Sequence, residues 1–212
     1  MCKIFKLALV ASLLPVCAPP AAAQEPAAQR QGARKFKYKG KIKTQYDRAK
    51  DETLVLLWPL TLEQRDGSVE AVFPAEGGAV RRLPGEILQA MAYFTYPGKT
   101  FAAPEFVTLG FKATVYERRV LNDGAELVVE SDGERVTLGR VRLTGRSPST
   151  AIQTERLQYY DELVELPVTR ELFTRLVNAR KVRASLDGRW VSIPENHLEA
   201  LRDLAGRAAP VE

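Results

Sequence analysis

Cysteine is almost missing from this chain: among 212 residues only Cys2 and Cys17 carry a thiol, both close to the start. Histidine is nearly as scarce, with His197 alone. These two shortages exclude Cys/His nucleophilic sites and multi-histidine metal sites within one chain. A Ser–His–Asp arrangement would have to use His197, and no G-x-S-x-G elbow accompanies it. His197 stands beside Glu195, Asn196 and Glu199 at a polar helix start, which predicts a solvated side chain. "GRVRLTGR" and "EGGAV" lack the phosphate-loop spacings, and "NDGAELVVESDGE" lacks the order of an EF-hand calcium loop. No cofactor and no metal are expected.

Long apolar runs are missing too. Crossing a bilayer takes roughly 20 apolar residues, and the run at residues 7–16 is about half of that. With Lys3 and Lys6 before it and "AAA" at 21–23 after it, it reads as a secretory signal peptide cleaved before Gln24. Cys17 raises a lipid-modified cysteine as an alternative, but Val16 stands where a lipoprotein signal has a small residue. The expected location is therefore the periplasm or the extracellular space, with no transmembrane segment after cleavage. Both cysteines would leave with the signal, so stability would rest on an ordinary hydrophobic core. The expected organisation is residues 1–23 as signal, 24–34 as a disordered lead-in rich in Ala, Pro and Gln, and 35–212 as a single β-rich domain.

Charge is present and segregated. Residues 24–50 hold nine Lys or Arg against Glu25 and Asp47, whereas residues 51–212 hold 20 basic residues against 24 acidic ones. A basic stretch thus precedes a mildly acidic body, an asymmetry that can mark an interaction arm.

From Arg34 onward the pattern is that of a β protein. "TLVLLWPLTL" is apolar and interrupted by Pro59, which predicts a bulge or an edge position. "RDGS" predicts a turn into a return strand "VEAVF". "GEILQAMAYFTYPGK" is read as a strand ending at the Pro-Gly turn, although its first half also suits a helix. "FVTLGFKATVYERRVL" gives one strand, or two broken at Gly110, and "NDG" turns the chain into "AELVVE". "SDGE" turns it again into "RVTLGRVRLTG". "RSPST" predicts a loop and "AIQTERLQYYDELVELPV" another extended segment. Two helices follow, one with Thr169 as N-cap and an apolar stripe at Leu172, Phe173, Leu176 and Val177. The other begins at Pro194 and should stop at Gly206, and a hairpin on Asp187–Gly188 joins the two. The fold class is mainly β, an antiparallel sandwich or partly open barrel with two packing helices in the C-terminal region.

"KFKYKGKIK" is the most distinctive stretch. As a strand it would place Lys35, Lys37, Lys39, Lys41 and Lys43 on one face, and Phe36, Tyr38 and Ile42 on the other. One reading is an edge strand whose lysines prevent pairing with other chains. The other is a basic face for an anionic partner. The aromatics Tyr93, Phe94, Tyr96 and Phe101 likewise suit either a binding patch or the closed end of a β core.

"YDRAKDETLV", "SDGERVTLG" and the closing helix–hairpin–helix stretch "LPVTRELFTRLVNARKVRASLDGRWVSIPENHLEALRDLA" together resemble a type of uncharacterised secreted bacterial protein. The resemblance implies an exported β-sandwich and no particular activity.

The function expected is surface contact at the cell envelope by a non-catalytic protein. Anionic lipid, acidic polysaccharide or another envelope protein are the partners in view, and nucleic acid is disfavoured because no nucleic-acid motif occurs. Two alternatives belong to other classes. One is a small secreted hydrolase using paired carboxylates such as Asp161–Glu162, Glu195–Glu199 or Asp51–Glu52. The other is a structural envelope subunit that self-assembles.

Overall fold

The computed structural model describes residues 41–73, 79–116, 120–153 and 158–210. The expected signal peptide, the lead-in and Lys35, Lys37 and Lys39 lie outside them. The elements run β1 (Ile42–Asp47), β2 (Glu52–Phe73), β3 (Ala79–Pro97), β4 (Phe106–Tyr116), β5 (Glu126–Ser131), β6 (Glu134–Arg140), β7 (Arg142–Gln153) and β8 (Gln158–Thr169). Then come α1 (Arg170–Val177), β9 (Val182–Leu186), β10 (Arg189–Ile193) and α2 (Glu195–Ala208). The protein is mainly β. A six-stranded sheet has the order β1-β2-β3-β4-β8-β7 and a four-stranded one β10-β9-β5-β6. Both are antiparallel, and neither closes into a barrel.

Alternation decides which side of each strand is inside. In β3 the even-numbered residues from Glu86 to Tyr96 are all buried, and the odd-numbered ones between them only partly. Thr53, Val55 and Leu57 do the same for β2, and Val107, Phe111, Ala113 and Val115 for β4. On this inner face lie the apolar stripes of both helices, Phe173, Leu176 and Val177 with Leu198, Leu201 and Leu204. Leu127, Val129, Val182, Ala184 and Val191 of the four-stranded sheet complete a single core. The two sheets are also tied by charge: Arg189 on β10 donates to Glu63 on β2 at 2.7 Å and to Glu86 on β3.

Local signals behave as their chemistry demands at several points. Asp132–Gly133 and Asp187–Gly188 both adopt left-handed backbone (φ 48° and 91°; 49° and 81°), closing the β5–β6 and β9–β10 hairpins with two-residue loops. Pro59 falls in an irregularity where β2–β3 register jumps from Leu57/Ala92 to Leu60/Ala90, just past the last β1 pair, Ile42/Leu57. The Thr169 hydroxyl accepts the Leu172 N–H at 3.3 Å and caps α1.

Elsewhere the structure corrects the sequence reading. "RDGS" is no hairpin turn: β2 runs through it, and the extra residues are absorbed between the pairs Asp66/Pro84 and Glu70/Arg82. A 19-residue partner strand rewards continued pairing more than one local turn does. "RSPST" is strand rather than loop, because β7 is an edge strand and tolerates a proline at Pro148. The stretch "AIQTERLQYYDELVELPV" is not one extended segment, since β7 ends at Gln153 and pairs back on β8 from Gln158. "RVTLGRVRLTG" breaks at buried Val141, whose N–H and carbonyl bond back to Ala125 and Gly124 as the chain changes sheets. "NDG" also changes sheets, so β4 and β5 do not pair. Gly206 does not stop α2, which runs two residues further because Ala208 is fully buried on the core.

Candidate functional site: the outer face of the six-stranded sheet

Both helices and the second sheet pack on the inner face, so the outer face of β2, β3, β4 and β8 is left to its own side chains. Several of them are apolar. Trp58 is 45% exposed, and it reaches this face just before Pro59. The Trp58 backbone N–H donates to the Lys41 carbonyl at 2.8 Å, which fixes the start of β1 beside it. Lys43, an outward residue of β1, sets its ammonium 4.4 Å from the Trp58 ring centroid, within cation–π range.

A shallow groove of about 450 Å³ runs from Trp58 across the sheet. Leu56, Pro59, Met91 and Leu163 make an apolar floor, and Lys112 and Asp161 stand on its far side. Met91 lies across Gly110, where a Cβ would come within 2.7 Å of Met91 Cγ; the missing side chain lets the thioether lie low. Lys112 Nζ pairs with Asp161 Oδ2 at 2.8 Å, and the Thr114 hydroxyl donates to Asp161 Oδ1 at 2.7 Å. The Arg146 guanidinium turns away from the groove to the core-facing side of β8, 4.1 Å from the Tyr160 ring and 3.5 Å from Glu162 Oε1.

The sequence candidates are dispersed by this geometry. Lys43 is on the outer face, Lys41 immediately precedes β1, and the other three lysines lie outside the described residues. The four aromatics do not form one exposed patch. Phe94 and Tyr96 are 2% and 5% exposed because their even numbering points them into the core. Phe101 packs edge-on against Tyr96 with ring centroids 5.4 Å apart. Tyr93 alone points outward, its hydroxyl donating to Glu165 at 3.1 Å. Burial first, then the Glu165 charge, raises that phenol above its ordinary range. Trp58, Met91 and Lys112 were not singled out as site residues. Their one signal was period two, which puts them on the face opposite the buried set.

The carboxylate pairs separate as well. Asp161 and Glu162 are neighbours on β8 and therefore point to opposite faces. Glu162, 0% exposed, accepts the backbone N–H groups of Val120 and Leu121 at 3.0 Å each and so pins the crossover loop. Glu195 pairs with Arg202 and Asp51 with the Tyr46 hydroxyl. His197 is a further correction: it is only 9% exposed, and its Nδ1 has no hydrogen-bond partner among the described residues. Burial, then the charge of Lys41, pushes its pKa below the usual imidazole value.

A second, charged depression of about 880 Å³ lies at the four-stranded sheet. Its acids are already engaged. Glu130 accepts from Arg183 and Arg135, which hold its carboxyl below the usual range, and both guanidiniums flank the Trp190 ring at 5.0 and 5.2 Å. Asp132 accepts the backbone N–H groups of Lys181 and Arg180, which lower its pKa likewise. These contacts brace the hairpins.

No protein-family model, curated protein or solved structure matches the chain. Among the described residues no cluster of three or more His, Cys, Asp or Glu could hold a metal ion, and no helix is long and apolar enough to cross a membrane.

Proposed function

We propose that this chain is an exported, non-catalytic protein of the cell envelope that acts by surface contact with an anionic lipid surface. The contact region is the lysine-bearing edge of the six-stranded sheet together with Trp58. One observation carries the reading: the Lys43 ammonium stacks on a tryptophan that is 45% exposed and borders an apolar groove. An indole with one apolar and one wet side suits the headgroup level of a bilayer. Lysines near an anionic surface add roughly 1 kcal/mol each, an attraction that salt screens. In the sequence, Lys41 and the three lysines before it keep the same spacing of two. Against the hydrolase reading stands the placement of Asp161 and Glu162 on opposite faces of β8.

The test is co-sedimentation with phosphatidylglycerol and phosphatidylcholine vesicles across a salt series. Beside the wild type runs a variant with Lys35, Lys37, Lys39, Lys41 and Lys43 all changed to Gln. The reading predicts binding to the anionic vesicles only, lost at high salt and weakened at least tenfold in the variant. Binding to a soluble polyuronate without vesicle binding would transfer the role to acidic polysaccharide. Absence of both, with self-association appearing in the variant, would make the lysines edge guards.

A further inference from the structure

The groove beside Trp58 is more than a rough spot on a membrane-facing surface. We propose that it seats the acyl chain of a single-chain anionic amphiphile, with the headgroup held at Lys43 beside Trp58. The inference rests on the lipid-surface reading above and names the ligand of the same face.

Three features carry it. The floor is apolar from Leu56 and Trp58 across Met91 to Leu163, with the polar lining residues gathered toward the Lys112–Asp161 end. Its volume, about 450 Å³, lies within the 300–1,000 Å³ or so usual for small-ligand sites, which favours one chain over a two-chain lipid. The charges are complementary to an anion. The Lys43 ammonium stands at the Trp58 end, while at the far end Lys112 and Asp161, the acid among the lining residues, satisfy each other at 2.8 Å. Gly110 keeps the floor low under Met91. An exposed sheet face with this lining is otherwise a liability to aggregation.

The wall supplies a clean way to block the groove. A Cβ at Gly145, one of the lining residues, would meet nothing within 4 Å, so Gly145→Leu adds bulk at the groove without a clash in the core. The experiment uses the full mature chain carrying Trp190→Phe, which leaves Trp58 as the sole indole reporter. Lysophosphatidylglycerol is titrated below its critical micelle concentration, with lysophosphatidylcholine in parallel, and indole emission is followed. The expected result is a saturable blue shift at one ligand per chain, at least fivefold weaker for the neutral headgroup and at least tenfold weaker with Gly145→Leu. Anionic-vesicle binding of Gly145→Leu should stay within twofold. Leu163→Gln, which makes the floor polar without filling it, should weaken the titration similarly and serves if Gly145→Leu does not fold. No saturable shift while vesicle binding persists would overturn the groove inference and leave the surface reading standing. Equal binding of both headgroups would overturn the anionic specificity. Loss of vesicle and monomer binding together in the unblocked protein would overturn both readings.

Discussion

His197 shows how much one residue's surroundings decide. Its polar neighbours in sequence describe the exposed side of the first turn of α2, whereas the imidazole itself faces inward, next to Lys41. Its folded-state pKa lies below the unfolded value of about 6.5. Its contribution is therefore complete above that value and is lost as pH falls through the folded pKa, because the unfolded chain takes up the proton first. Melting temperature between pH 7.5 and 5 should accordingly fall more steeply for the wild type than for His197→Leu. Parallel curves would show that the folded imidazole takes up its proton at the same pH as the unfolded chain, contradicting the burial-lowered pKa.

Elements add what residues cannot. Thr169 caps α1 through one hydrogen bond to Leu172 N–H, so Thr169→Ala should cost about 1 kcal/mol in chemical denaturation. Arg189 joins β10 to β2 and β3, and its removal leaves Glu86 buried without its cation. Arg189→Ala should cost about 2 kcal/mol, more than the loss of an exposed pair, and Glu86→Gln should recover part of that in the double variant. At this scale the sequence was informative wherever the cause was local. Asp-Gly loops, the Thr169 cap, the Pro59 irregularity and the period-two burial of β3 all follow from neighbours in the chain. It misled where a distant partner decided: "RDGS" became a bulge because β3 was there to pair with, and "RSPST" became strand because β7 sits at an edge. Of the two readings of the aromatic cluster, the core end holds for Phe94 and Tyr96. Proximity in sequence sends Tyr93 and Phe94 to opposite faces, so the patch that "YFTYPGKTF" suggests divides between core and surface.

For the whole molecule, the decisive asymmetry is between the two faces of the six-stranded sheet. One face is filled by two helices and a second sheet. The other keeps Trp58 with Lys43 stacked on it, and an apolar groove that ends at the Lys112–Asp161 pair. The sequence pattern revealed the lysines but not the groove, since Leu56, Met91, Lys112 and Leu163 come from four strands whose order only long-range pairing sets. The most direct measurement is quenching of tryptophan by anionic vesicles whose acyl chains carry bromine, made on Trp58→Phe and Trp190→Phe separately. The account predicts strong, salt-sensitive quenching when Trp58 is the remaining indole and little when Trp190 is. Quenching of Trp190 alone, or of neither, would contradict it.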